Sequence, residues 1–247
     1  MKNYKDIYYQ TIAVIWINHL LFVTLMLTNF SVQNLVLSLY AMYSFAIASE
    51  ISLHRYFTHQ VFTTHRLKEL ILHVIGGLIG QGSVISWVTI HRNHHAYEDT
   101  EKDPHSPFHM PWYKIYLGFL KPPVNKNAAF NLLKNKNRQR YLFENKYYLL
   151  MWVALWVCLY LVSLEFLLFV VSGSTLWYAG TCSINILAHR YVGKKDYPES
   201  VGLNSRILNA LTLVGYHNNH HKNPRSESYT ERDFIGILIK LFFKQKI

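Results

Sequence analysis

Two long stretches of the chain contain neither lysine nor arginine, and they constrain its fold more than any other feature. They cover residues 6–54 and 147–189, and each is about twice the length needed to cross a bilayer. A backbone in lipid must satisfy its own hydrogen bonds, so these stretches predict helices rather than strands. Short polar turns near residues 29 and 165 divide them. We therefore predict four transmembrane helices arranged as two hairpins, at about 12–30, 32–53, 147–164 and 166–188.

The basic residues predict the orientation of these helices. All 25 lysines and arginines lie in segments 1–5, 55–146 and 190–247, which a two-hairpin topology places on one side of the membrane. The positive-inside rule makes that side the cytoplasm. The expected fold is thus an all-α, multi-pass integral membrane protein with a cytoplasmic helical cap formed by 55–146 and 190–247. We treat residues 1–247 as a single domain.

Composition agrees with a membrane protein. Charged residues make up 16% of the chain, below the usual quarter or so of soluble proteins. A formal net charge of +11 is compatible with nucleic acid, anionic lipid, an acidic protein or a phosphorylated substrate. The distribution of these charges is more informative than their number, and we expect the lipid bilayer and no nucleic acid as a partner. Met1–Gln10 has no cleavage-type segment, so no removable signal peptide is predicted.

Three further segments need an interpretation. Residues 69–90 are apolar enough to span, but histidine clusters flank both ends. We expect a helix lying in or dipping into the interface, broken near its glycines, and the alternative is a fifth spanning helix. The basic segment 113–146 is either a solvated loop or a contact surface for anionic headgroups or an acidic redox protein. The spacing of apolar residues in 222–247 suits an amphipathic helix.

Histidines carry the chemistry of this sequence. Two triplets have the spacing i, i+3, i+4, which on a helix faces a single point, and a metal benefits from such a cluster. A pair spaced by five and an Asn-Ile-Leu-Ala-His element add to them. Nine imidazoles exceed the demand of one metal and suit two, and without thiolate ligands iron, copper, nickel or zinc is expected. The two cysteines, Cys158 and Cys182, are predicted to be small core residues. Asn185 shares a helix face with His189. The nine candidate imidazole ligands are His54, His59, His91, His94, His95, His189, His217, His220 and His221.

These boxes resemble those of the membrane fatty acid desaturases, in particular the stearoyl-CoA/acyl-lipid Δ9 branch. That family has an HxxxxH box, two HxxHH boxes and an NxxxH element, and this chain matches all four. Asp103-Pro104-His105 follows the second box, and Gln81 and Trp87 precede it, as in that branch. The resemblance runs from about His54 to Pro224.

The resemblance implies a non-haem centre of two Fe2+ ions, with nine histidine ligands and Asn185 reaching a metal through water. It implies an O2-dependent reaction that introduces a cis double bond, at Δ9, into a fatty acyl chain linked to CoA, carrier protein or phospholipid. No catalytic side chain is implied beyond the metal centre. Electrons come from an external donor, ferredoxin or cytochrome b5, because no His-Pro-Gly-Gly haem motif is present. The family's bent substrate tunnel has Gln81, Trp87 and Thr181 as the matching residues at its bend.

The chain also departs from the family pattern. Leu213-Val214-Gly215-Tyr216 stands where a Gly-Glu pair is common, and Lys222-Asn223-Pro224 lacks the usual aromatic residue before proline. A hydroxylase or ketolase on the same iron scaffold remains an alternative, as does a histidine-rich metal-binding or transport membrane protein.

Outside the boxes, the remaining histidines and one acid receive simpler interpretations. We expect a helix–helix hydrogen bond from His19 and no metal role for His65, His73 and His109. His105 is predicted to support the ligand histidines, and Glu50 either does the same or is an acid that extends to the membrane surface.

Overall fold

The computed structural model describes residues 4–245 and the side chains of residues 8–243, and it is mostly helical. Two short strands, β1 (Phe62–Thr63) and β2 (Lys244–Gln245), pair antiparallel. The helices are α1 (Tyr4–Thr28), α2 (Val32–Ser49), a π-helix (Glu50–Thr58), α3 (Arg66–Gly77), α4 (Val84–Ala96), α5 (Trp112–Tyr116), α6 (Phe130–Lys134), α7 (Arg138–Val162), α8 (Leu164–Arg190), α9 (Arg206–Thr212), α10 (His217–Lys222) and α11 (Phe234–Phe242).

Within the part of the chain that the structure describes, four helices are long and apolar enough to cross a membrane, as predicted. They are Tyr8–Thr28, Val32–Thr58, Arg138–Val162 and Leu164–Arg190. The predicted turn near residue 165 lies at Ser163, since α7 ends at Val162 and α8 begins at Leu164. Ser163 causes this boundary, because its hydroxyl accepts hydrogen bonds from the backbone N–H groups of Glu165 and Phe166 and so caps α8.

The long helices pack around α8, which contacts α1, α2 and α7, while α1 also contacts α7. Apolar side chains on their outer surfaces stay exposed, for example Leu27 (80%) and Leu161 (76%). Apolar residues exposed in such numbers are the pattern of a surface that faces lipid. Cys182 is buried as predicted, but Cys158 lies on the exposed surface of α7, so its prediction as a core residue was wrong.

The apolar stretch 69–90 is divided into α3 and α4. The chain between them passes through Gly80 and Gly82 with φ of +82° and +106°, values that residues with a Cβ rarely adopt. A Cβ at Gly80 would also collide with the Ser174 hydroxyl of α8. Within the described residues this stretch is not one of the four candidate spans. The expected break near the glycines is confirmed, and its position relative to the interface stays a prediction.

The second transmembrane helix does not end as an ordinary α-helix. From Glu50 to Thr58 it continues as a π-helix, which the sequence analysis did not predict. Helix α11 packs against this π-helix and buries Ile235 and Ile239. The expected amphipathic helix in the tail is thus present. Segment 113–146 contains most of α5, all of α6 and the first turns of α7, and whether it is solvated or a contact surface stays a prediction.

Candidate metal centre

The π-helix explains the spacing of the first histidine pair. Its hydrogen bonds run from residue i+5 to residue i, and the His59 N–H donates to the His54 carbonyl over 3.1 Å. Residues five apart therefore become neighbours on one side of the helix. In an α-helix the same two residues would point in divergent directions. The ring centroids of His54 and His59 lie 4.8 Å apart.

Three other helices bring the remaining histidines to the same place. The second and third boxes lie on α4 and α10, and His189 lies in the last turn of α8. Arg92 ties α4 to the π-helix, since its guanidinium donates to the carbonyls of Phe57 and Thr58. Asn218 ties α10 to the preceding loop through its bonds to the Tyr197 and Val201 carbonyls. The residues between the histidines thus orient the helices that carry them.

The nine histidines form two sets. The first set has five members and the second has four, and within each set the potential ligand atoms all lie within 4.8 Å of one another. The expectation that each HxxHH triplet converges on a single point was wrong. The i, i+4 histidines of a triplet share a set and the i+3 histidine joins the other, because adjacent residues on a helix differ in direction by about 100°. The first set is His54, His59, His91, His95 and His220, and the second is His94, His189, His217 and His221.

The distances within each set are those between ligands of one ion. In the first set, His220 Nε2 lies 3.1 Å from His54 Nε2 and 2.9 Å from His95 Nε2. In the second, His217 Nε2 lies 2.7 Å from His189 Nε2 and 2.9 Å from His221 Nε2. Two nitrogens bound at about 2.0–2.1 Å with angles of 90–110° are about 2.9–3.4 Å apart. Three of these four separations fall in this range, and the His189–His217 pair is slightly shorter.

Carboxylates hold the other nitrogen of most ligands. The Nδ1 atoms of His54, His94 and His189 donate to Glu50 (2.8 Å), Asp103 (2.9 Å) and Asp99 (3.0 Å). Glu98 contacts both sets, because its Oε1 accepts from His95 Nδ1 (3.1 Å) and His221 Nδ1 (2.7 Å). In His220 the partner is the Tyr229 hydroxyl, at 2.9 Å.

This donor set fits metal ions. A carboxylate only accepts, so an imidazole that donates from Nδ1 presents a lone pair at Nε2. Lone pairs facing each other at these short distances repel, and a cation between them converts the repulsion into ligation. Carboxylates that accept a hydrogen bond from the far nitrogen of a ligand imidazole raise the basicity of that ligand and fix the orientation of its ring.

Electrostatics keep the ligands in the form that binds metal. Burial lowers the pKa of His91, His217 and His221 well below the usual 6.5, and the neighbouring imidazoles lower it further. Burial alone would raise the pKa of Asp103, but its hydrogen bond to His94 and the adjacent imidazoles hold it well below its usual range. Neutral imidazoles and an ionised carboxylate are the state that metal binding requires.

The three residues predicted to contact the substrate also lie close to one another. The Gln81 side-chain amide donates to the Thr181 hydroxyl over 3.1 Å, and the Trp87 indole N–H points to Gln81 Oε1 at 3.4 Å. Trp87 stacks on His91 with 4.8 Å between ring centroids. All three line a largely apolar cavity that also reaches His54, His217, His220 and Asn185. Asn185 is half-buried and one turn before His189 on α8.

Sequence reasoning found some supporting residues and missed others. Glu50 contacts His54, as expected, and the His105 ring lies 4.4 Å from that of His94. Glu98, Asp99 and Tyr229 were missed. Two of them follow the second box within a turn, and an acid so placed is a usable signal for a histidine partner.

One histidine outside the sets differs from its prediction, and a second has a partner that the sequence analysis did not name. His19 binds the Ile15 carbonyl of its own helix rather than a group on another helix. His73 pairs with the buried Glu144 at 2.9 Å. Glu144 also accepts a hydrogen bond from the Val84 N–H, at the start of the histidine-bearing α4.

This geometry agrees with the comparisons to known proteins. The family model for fatty acid desaturases matches residues 30–230, and the chain belongs to that family. A Delta-9 desaturase-like 2 protein of Arabidopsis thaliana is 30% identical over 176 residues, which is 69% of this chain and 59% of the relative. An sn-1 stearoyl-lipid 9-desaturase of Anabaena variabilis is 30% identical over 178 residues, 69% of this chain and 64% of the relative.

A shorter match has higher identity. A hex-5-enoyl-(acyl-carrier protein) acetylenase of Moorena producens (strain JHB) is 48% identical over 61 residues, 25% of this chain and 19% of the relative. The chain spans less than two thirds of the length of each of these three relatives.

Proposed function

We propose that this chain is a membrane acyl desaturase that uses O2 and two irons to introduce a cis double bond into a fatty acyl chain at Δ9. The observation that carries the proposal is the meeting of two ligand sets of nine histidines beside an apolar cavity. The family membership and the names of the relatives support the same reaction class.

The two histidine sets would each hold one iron, and Asn185 would complete the second set through a water molecule. An unactivated C–H bond offers no handle to a general base, so the two irons, once bound, would supply the chemistry by which O2, with two electrons from an external donor, takes up the two hydrogens as water. The protein's residues hold the metals and the substrate. Glu50, Asp99 and Asp103 fix the tautomer of the imidazoles, and Glu98 orients one ligand of each set together.

Positioning of the substrate falls to the cavity wall. The hydrogen-bonded side chains of Gln81, Trp87 and Thr181 form a rigid group next to His91. An acyl chain bent around this group would present one pair of methylenes to the metal site. Holding the reacting carbons in one place is the main contribution a protein makes to such a reaction. The apolar lining excludes water from the reacting carbons.

We propose that the four candidate spans form two hairpins and that the histidines face the cytoplasm. Both HxxHH boxes and His189 lie at the ends of helices bordered by the basic segments 55–146 and 190–247. These segments would form the cap and carry the contact surface for an acidic donor, ferredoxin or cytochrome b5. The acyl carrier would be CoA, a carrier protein or a phospholipid.

The test is fatty-acid analysis of a host that lacks the activity and expresses the chain, with His94→Ala as a control for metal-dependent chemistry. We expect a new cis-monounsaturated species, absent from the control, and its fragmentation gives the double-bond position. A hydroxylated or oxidised product would favour the hydroxylase or ketolase. Well-expressed protein that contains exchangeable zinc or copper, holds no iron and makes no product would favour a metal-binding or transport protein.

A further inference from the structure

The residues that line the cavity beside the metal site come from two regions, which we call its outer part and its inner part, and we take Gln81, Trp87 and Thr181 as the point where the two parts meet. The outer part follows α1 and the segment 115–120, where Ile12, Ile15, Ile115 and Leu120 line it. The inner part lies between α2 and α8, where Ser49 and Trp177 line it. The two neighbours Trp177 and Tyr178 belong to different buried clusters, the first with Phe45 of α2 and the second with Ile15 of α1.

The outer part leads toward the surface. Ile12 and Leu120 are half-buried, and the exposed Phe119 and the partly exposed Lys121 lie beside them. The segment that covers this part is held by a few polar contacts, such as the Tyr178 hydroxyl donating to the Tyr116 carbonyl over 3.0 Å. This is the end where a polar carrier group can remain in water or at the headgroups.

The inner part is closed. Ser49 and Trp177 are only 2% and 3% exposed, and among the described residues none earlier in α2 or α8 lines the cavity. One turn deeper the two helices are in direct contact. A Cβ at Gly173 would lie 2.5–2.9 Å from ring atoms of Phe45, so no space remains there for a chain.

The length of the inner part follows from the helix. Trp177 is four residues before Thr181, which is about 6 Å along the axis. An extended alkyl chain with C–C bonds of about 1.5 Å fills that distance with about five carbons. A chain with a double bond at carbon 9 that ends there has about 14–16 carbons.

We propose that Trp177 sets the length of the acyl chain by stopping its methyl end about five carbons beyond the reacting bond. This inference rests on the proposed function, which it narrows to medium-length acyl substrates. The closed part is apolar and suits a methyl group, whereas the carrier end requires the open part. Trp177 acts as a specificity-determining residue and does not touch the reacting carbons.

Trp177 can be replaced without the loss of a side-chain hydrogen bond. The indole N–H is buried and has no hydrogen-bond partner among the described residues, so its replacement removes volume and no polar contact. The bond from the Thr181 hydroxyl goes to the Trp177 carbonyl, over 3.1 Å, and is kept by any substitution.

The experiment compares products of wild type, Trp177→Ala and Trp177→Leu in a host supplied with saturated acyl chains of graded length. We expect both variants to shift the product distribution toward longer chains, by about four carbons for alanine, with about tenfold more long-chain relative to short-chain product. Ser49→Leu should shift it toward shorter chains. Trp152→Ala removes a buried tryptophan of α7 outside this cavity and should leave the distribution unchanged.

Binding of free fatty acids of graded length to the purified iron-loaded protein, by calorimetry, separates the two proposals. If the Trp177 variants bind longer fatty acids more tightly than wild type does, the length-setting role is supported even where no unsaturated product forms. The lack of unsaturated product would then refute only the desaturase function. Desaturation with an unchanged length preference in both Trp177 variants would overturn the role of Trp177 and leave the proposed function standing.

Discussion

Replacing Glu98 with alanine tests whether one carboxylate supports both metals. Its Oε1 atom accepts hydrogen bonds from His95, in the first set, and His221, in the second, over 3.1 and 2.7 Å. A hydrogen bond to a charged group contributes about 1.5–3 kcal/mol. Glu98 is 23% exposed, so we take the lower end for each bond. The loss of about 3 kcal/mol in total corresponds to roughly 150-fold weaker binding of the iron pair.

The assay is iron content per protein across a graded series of chelator, with circular dichroism to confirm that the helices persist. Asp103→Asn is the matched control, because Asp103 contacts a ligand of the second set alone, His94. We expect Glu98→Ala to lose both irons at lower chelator concentration and Asp103→Asn to weaken only one. The reasoning is refuted if Glu98→Ala keeps both irons as tightly as wild type, or loses one and keeps the other.

Three further predictions concern pH and stability. Folding lowers the pKa of His59, His91 and His217 below 6.5, so the unfolded chain binds more protons than the folded chain. Metal-free protein should therefore lose stability as pH falls below about 6.5. A melting temperature that stays flat between pH 7.5 and 5.5 would contradict this. Asp233→Ala removes the carboxylate that lies 2.7 Å from the buried Arg55 guanidinium. It should destabilise the protein by about 3–5 kcal/mol in thermal unfolding, far more than Glu199→Ala at an exposed position. Equal effects of the two substitutions would refute this prediction. Gly80→Ala should lower the melting temperature, because φ is +82° and Ser174 blocks the space, and an unchanged transition would show that the break before α4 tolerates a side chain.

Much of the fold was readable from the sequence because its causes are local. Lipid demands helices, so two stretches without lysine or arginine were enough to predict four spanning helices. The glycines that break 69–90 were recognisable for the same reason, since a positive φ depends on a single residue. The turn near residue 165 was predicted as well, and its exact position at Ser163 depends on a capping hydroxyl, which acts on a finer scale than hydropathy resolves.

The candidate site was partly readable. Imidazoles at ligand spacing identified nine histidines and suggested two metals, because the chemistry of a ligand is a property of the residue itself. The π-helix was not predicted, although the five-residue spacing of His54 and His59 is the spacing that a π-helix brings together. Glu98 and Asp99 were missed, because their role depends on rings that arrive from α8 and α10.

The sequence by itself identified the candidate metal ligands and the segments that are apolar enough to span a membrane, since ligand chemistry and hydropathy need no partner. The tertiary structure alone decided how the histidines divide, with His94 leaving its neighbours on α4 to join His189, His217 and His221. It also decided that Trp177 and Ser49 end the cavity. A metal set and a cavity wall are both made of atoms from helices far apart in the chain, and only their packing brings those atoms to one place.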